Sequence, residues 1–367
     1  MRTFLQWLLR RQLSILAEKI SSSPDKKAVE KALSRLLARV RSGHKKKTLR
    51  LSFPLQEGKY IIFSDQHKGA RDEADDFRGS ACNYRDALDH YFQEGFHFIN
   101  LGDCEELWKY TPEQVLEKNQ ACLQAEKRFL DRNQYSRVFG NHDLEWKFPF
   151  QVNRYLKPVF GSGLKIYEAI LLETGYRSRN YSIFLTHGHQ GDRRSDGNGL
   201  SAWVVAAIWT PIQRYLQISL NTPATSFALT DKHNIIMHDW SAAQSDLLFI
   251  SGHTHHPVFA SMDHMDRLGR DLHQAAATGD QEKIRRIQSA LEQKKVTFSG
   301  KQAYRAPQKP SYFNTGCCCF SDGDITGIEI EGGLIRLVKW TSGKNKALRQ
   351  VLEEAPLSAV FDSLRGA

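Results

Sequence analysis

Two stretches of apolar residues at near-helical spacing open the chain. Phe4, Leu5, Leu8, Leu9, Leu13 and Leu16 make the first stripe, with Arg10, Arg11 and Lys19 around it. Val29, Leu33, Leu36, Leu37 and Val40 make the second, after Ser23-Pro24-Asp25, where Ser or Asp can cap a helix. Two amphipathic helices are expected over residues 1–50. From residue 48 the pattern changes to short apolar runs of strand type alternating with helical stretches. Lys59 to Ser64 stops at Asp65-Gln66-His67, Phe96 to Leu101 at Gly102-Asp103, and Tyr135 to Phe139 at Gly140-Asn141-His142-Asp143. Tyr181 to Thr186 stops at His187-Gly188-His189, and Asp246 to Ser251 at Gly252-His253-Thr254-His255. Each of these strand-like runs ends in carboxylate, amide or imidazole residues, and the ends of core strands are where open α/β sheets place their chemistry.

Between these runs lie helical stretches that read as insertions at about 105–135, 191–245 and 261–300. The first carries Leu107, Trp108, Val115, Leu116, Leu123 and Phe129. The second contains the apolar segment Leu200 to Leu220, with Trp203, Ile208, Trp209, Ile212 and Tyr215, which packs as a helical lid or lines an apolar groove beside the strand ends. The third, from Asp263 to Lys295, is charged. Ile325 to Ile330 and Leu334 to Trp340 read as a hairpin around Glu331-Gly332-Gly333. Lys344 to Leu364 is expected to be a surface helix. The organisation expected is therefore a helical arm over 1–50, a main domain over 51–345 and a helical tail over 346–367.

Composition narrows the class. With 367 residues, 41% hydrophobic and 25% charged, the chain is neither disordered nor collagen-like. The longest apolar candidate for a membrane span, Leu200 to Ile218, is broken by Pro211, Gln213 and Arg214. Six Cys, three of them adjacent as Cys317, Cys318 and Cys319, form no disulfide framework and no Cys-x-x-Cys pair, so reduced core thiols in a cytoplasmic protein are expected. The net charge of +10 resides in the arm: residues 1–50 carry fourteen Lys or Arg and three acids, a net of +11, which leaves residues 51–367 at −1. Such an arm can pack its stripes on the main domain, lie on an anionic membrane surface through Phe4 and Trp7 at the inner face of the membrane, or bind nucleic acid.

Asp65, His67, Asp103, Asn141, His187, His253 and His255 supply the mixture of carboxylate, amide and imidazole that holds two divalent cations about a shared carboxylate. No Walker loop is present, and Gly161-Ser162-Gly163 reads as a turn. The ordered blocks SDQH, LGDCEE, GNHD, THGH and SGHTHH resemble those of the calcineurin-like metallophosphoesterases. The resemblance implies an α/β four-layer αββα sandwich and hydrolysis of a phosphate ester or phosphoanhydride by a hydroxide that two metals activate. It further implies Asp65, His67 and His255 on one metal, Asp103 as the bridge, and Asn141, His187 and His253 on the other, with His142 facing the substrate phosphate. His187 is preferred over His189 because the family's ligand precedes a Gly. Asp143 is expected to orient His142. Manganese is expected, with iron or zinc as alternatives.

Three further residues are read as substrate contacts: His189, and Arg193 with Arg194 as a clamp for a second phosphate. The block LGDCEELW is similar to the branch that cleaves the pyrophosphate of UDP-diacylglucosamine, although that branch commonly has Arg where this chain has His142. That similarity implies a nucleotide-linked lipid met at a membrane surface. The competing expectations are a monoesterase or diesterase for a soluble phosphorylated substrate, and a non-catalytic scaffold, which would have no need to retain all seven ligand residues.

Overall fold

The computed structural model of the protein describes residues 24–43, 47–192, 227–262, 264–282, 284–288 and 309–365. Helix α1 (Lys26–Arg41) begins where the Asp25 carboxylate accepts the Ala28 N–H at 2.8 Å, an N-cap. There follow β1 (Thr48–Ser52), β2 (Lys59–Phe63), α2 (Ala81–Gln93), β3 (His97–Leu101), α3 (Pro112–Lys118), α4 (Gln120–Asp131) and β4 (Tyr135–Val138). After short helical turns between Leu144 and Phe160 come β5 (Ile166–Tyr167), β6 (Ala169–Tyr176), β7 (Arg179–Leu185), α5 (Phe227–Ala242), β8 (Leu247–Ser251) and α6 (His264–Thr278). β9 (Tyr312–Asn314), β10 (Ile325–Glu331), β11 (Leu334–Thr341), β12 (Leu348–Pro356) and α7 (Leu357–Ser363) complete the order.

The strands form a seven-stranded sheet, β12-β11-β10-β2-β3-β4-β5, and a five-stranded sheet, β1-β6-β7-β8-β9. Period-two alternation decides what each face touches. Tyr60 and Ile62 of β2 face the other sheet and meet Ile170, Leu172, Ile183 and Ile250, while Ile61 and Phe63 face outward onto Tyr84, Leu88, Tyr91 and Phe129 of α2 and α4. On the far side, Leu171, Phe184 and Phe249 are covered by the α1 stripe and by Ile236, Met237 and Trp240 of α5. The result is helix, sheet, sheet, helix: the four-layer sandwich expected. β2, β3 and β4 run parallel, as do β7, β8 and β9, so the carboxyl ends of both groups gather at one edge.

Three expectations change. Residues 26–50 are not a separate arm: the second stripe is buried on the five-stranded sheet, and the boundary at 50 falls inside β1, which pairs with β6. The first helix expected, over residues 4–19, and the lid or groove of residues 200–220 lie outside the described residues. Residues 105–135 are not an appendage, since α4 supplies the outer cover of β3 and β4. The helix expected from Lys344 to Leu364 is instead the strand β12, antiparallel to β11, followed by the one short helix α7. Leu348, Val351 and Leu352 have helical spacing but remain exposed; the open edge of β11 and the pairing of Arg349 with Glu329 at 2.7 Å favour the strand. Among the described residues no helix is long and apolar enough to cross a membrane.

Candidate metal centre

Backbone strain marks the loops at the shared strand edge. Asp65, His67, Asp103, His253 and His255 all have φ between 50° and 70°, the left-handed region that L-residues with side chains avoid. Such conformations persist only when the surroundings fix them, and here interloop hydrogen bonds do so. Asp65 N donates to Gly102 O at 3.0 Å, His67 N to Asp103 O at 2.9 Å, and Gly252 N to His187 O at 2.9 Å. Close packing adds to this. A Cβ on Gly140 would strike the Asp103 carboxylate and one on Gly252 the Asp65 carboxylate, so at these two positions only glycine lets the backbone approach.

Two further bonds set which carboxylate oxygens point inward. The His253 N–H takes Asp65 Oδ2 at 2.9 Å and the His142 N–H takes Asp103 Oδ1 at 2.8 Å. Their inward oxygens meet a ring of imidazoles. Asp65 Oδ1 lies 3.2 Å from His255 Nε2 and 3.9 Å from His187 Nε2; Asp103 Oδ2 lies 3.2 Å from His187 Nε2 and 3.6 Å from His67 Nε2. Asp103 therefore touches a histidine from each of the two groups named from the resemblance. His67 Nε2 and His255 Nε2 face each other at 3.1 Å. His253 places a donor within 4.8 Å of Asp103 and His187, and His142 does so with His67 and Asp103.

The tautomers are set from behind. His187 Nδ1–H donates to Leu101 O at 2.9 Å, which turns the Nε2 lone pair inward. Glu106 serves two rings, accepting His67 Nδ1–H at 3.1 Å and His142 Nδ1–H at 2.9 Å. Burial pushes the Glu106 carboxyl up, but His142 and the two ring hydrogen bonds outweigh it and hold the group below the usual range, an acceptor only. Trp108 stacks on His142 at 3.9 Å and 18°, and its indole N–H donates to Asn141 O at 2.9 Å.

The donor set fits divalent cations. Asp65 Oδ1, Asn141 Oδ1 and His187 Nε2 are buried with no hydrogen-bond partner among the described residues. Such atoms are costly to bury unless something binds them. Carboxylate, amide and imidazole donors suit manganese, iron or zinc, and Cys319 sets a thiol within 4.8 Å of donor atoms of His67 and His255.

Not every expected residue stands where the sequence put it. Asp143 makes no contact with the His142 ring: it accepts Gly140 N–H at 2.6 Å and Cys104 N–H at 2.9 Å and lies 3.4 Å from Arg137, so it ties the two loops together while Glu106 orients His142. His189 is buried beside His187, with burial first and His187 second pushing its imidazole down to about 3. Arg193 and Arg194 lie outside the described residues. Cys319, read as a core thiol, is buried but adjoins the site, its Sγ 3.9 Å from His255 Nδ1. Glu106, Trp108 and His233 were not singled out as site residues from the sequence; their roles depend on partners distant in the chain.

No protein-family model matches the chain, and no curated protein matches it. Among solved structures, a dimetal phosphatase from Danio rerio is similar at 13% identity and TM-score 0.35, over 82% of this chain and 100% of that one. Vacuolar protein sorting 29 from Cryptosporidium parvum is similar at 12% identity and TM-score 0.29, over 82% of this chain and 98% of that one. The Vps29 single mutant from Entamoeba histolytica is similar at 13% identity and TM-score 0.27, over 80% and 99%. Likeness at this level carries no argument about activity, which rests on the site itself.

Proposed function

We propose that the chain is a metallophosphoesterase of the calcineurin-like type, hydrolysing a phosphate ester or phosphoanhydride at a centre of two divalent cations. One observation carries this reading: inward-facing oxygens of Asp65 and Asp103 meet the Nε2 atoms of His67, His187 and His255 in a buried cluster that retains unpartnered donor atoms. Asp65, His67 and His255 would hold one cation, Asn141, His187 and His253 the other, with Asp103 common to both. When bound, the cations supply positive charge against a phosphoryl group and acidify water to hydroxide near neutral pH. The chain's own contribution is positional. His142, its Nδ1–H held by Glu106 and its ring stacked on Trp108, presents Nε2 to a phosphoryl or leaving-group oxygen, a proton-transfer role typically worth about 10²–10⁴ in rate. Asp103→Asn removes one negative charge from the shared position and is expected to lower hydrolysis of bis-p-nitrophenyl phosphate by at least about 10²-fold, with circular dichroism unchanged. Parent-like turnover in that variant would remove the reading.

A finer reading, a pyrophosphatase for a nucleotide-linked lipid, is favoured by Phe148 and Phe150. These rings are 49% and 63% exposed, 6.0 Å apart, on the segment that follows the Gly140–Asp143 loop. Two neighbouring exposed apolar rings on that segment would suit an acyl chain better than a fully hydrated sugar phosphate.

A further inference from the structure

A second buried cluster adjoins the centre on the side of α5. Asp192, His233 and His253 each place a donor atom within 4.8 Å of the others, and all three side chains are buried. Asp192 sits in the turn that follows the His187-Gly188-His189 loop, its N–H bonded to His189 O at 3.1 Å, and α5 brings His233 over it. The tautomer of His233 is set in the same way as that of His187. Nε2–H donates to Gly188 O at 3.0 Å, which leaves the lone pair on Nδ1. That Nδ1 is buried with no hydrogen-bond partner among the described residues, although the His233 side chain is only 2% exposed. A core histidine would normally find an acceptor or donor for both nitrogens. His253 stands between the two groups, its ring centroid 5.2 Å from that of His187 and 5.1 Å from that of His233, with a nitrogen on each side of the ring.

We propose that Asp192, His233 and His253 form a third cation position, for a borderline divalent ion such as zinc. Two imidazoles and one carboxylate are the donor types that ion takes, and three protein ligands leave it a free coordination position. The position adds to the hydrolase reading and shares only His253 with it; holding both cations at once makes that ring a bridging imidazolate, its remaining N–H proton passing to solvent as metal binds.

The test is metal stoichiometry on the full chain, stripped with chelator, reloaded with excess zinc chloride, desalted and measured by plasma mass spectrometry. About three equivalents per chain are expected for the parent and about two for His233→Ala, since two remaining protein ligands fall short of the three that even an open zinc site keeps. Equal stoichiometry in the two overturns the inference. Because the alanine variant can lose fold, parent crystals soaked in zinc chloride provide a second reading at the zinc absorption edge. An anomalous peak beside Asp192, His233 and His253 supports the position, and none there overturns it. Peaks beside Asp65 and Asp103 in the same crystals would leave the two-cation reading intact, so the two failures are distinguishable.

Discussion

Both oxygens of the Glu106 carboxylate take a ring proton, one from His67 and one from His142. Glu106→Gln replaces one of those acceptors with an N–H donor, so one imidazole must rotate or change tautomer. A loss of about 10–100-fold in kcat is expected, the range for groups that orient ligands from behind, with folding retained. Steady-state kinetics beside elemental analysis would show which ring gave way: loss of metal points to His67, loss of rate alone to His142. The expected ligand residues were legible because they cluster at the ends of apolar runs, where the backbone turns and side chains gather. Glu106 was not, because nothing local separates it from Glu105, which instead pairs with buried Arg137 and Lys68 beneath the site. Asp143 misled for the opposite reason. It adjoins His142 in sequence, but its carboxylate turns back to backbone N–H groups.

At the scale of elements, α1 shows how an amphipathic stripe becomes structural. Its mean hydropathy is low and most of its exposed positions are Lys or Arg, so sequence alone left surface and core roles open. The outer face of the five-stranded sheet decides it, since Leu171, Phe184 and Phe249 need cover and the stripe provides it. Leu33 is fully buried there, and Leu33→Ala is expected to lower stability by about 2–5 kcal/mol, read as a fall in the denaturation midpoint. The strands β2, β3, β4, β7, β8, β10 and β11 were readable because short apolar runs stopped sharply at polar turns. β12 was not: its residues alternate poorly, and its pairing comes from β11, which no local pattern announces.

Across the whole molecule, charge and pH meet at the centre. Burial pulls the His187 imidazole down, but Asp103 and Asp65 outweigh it and raise it to about 9. For His255 burial is likewise outweighed, by Cys319 and Asp65, to about 10. Both folded values exceed the ordinary value of about 6.5, so in chelator-stripped protein their contribution to stability is complete below about pH 6.5 and is lost as pH rises through 9 and 10. Thermal melts of stripped protein are expected to fall over that alkaline window. Metal affinity should move the other way, rising with pH as the competing protons leave. The basic arm now divides in two: deleting residues 1–50 would remove α1 and β1, so a test of membrane binding requires deletion of residues 1–23 alone. Loss of co-sedimentation with anionic vesicles, at unchanged melting temperature, is the outcome expected of that shorter deletion. The α1 entry point gives that segment a further meaning. A Cβ on Gly191, four residues beyond His187, would lie 2.6 Å from Ala28 O, so the first turn of α1 abuts the loop that carries His187. Were residues 1–23 to capture a ligand or a surface, the chain would hold it next to the His187 loop, and the capture would raise the local concentration of whatever it carries there.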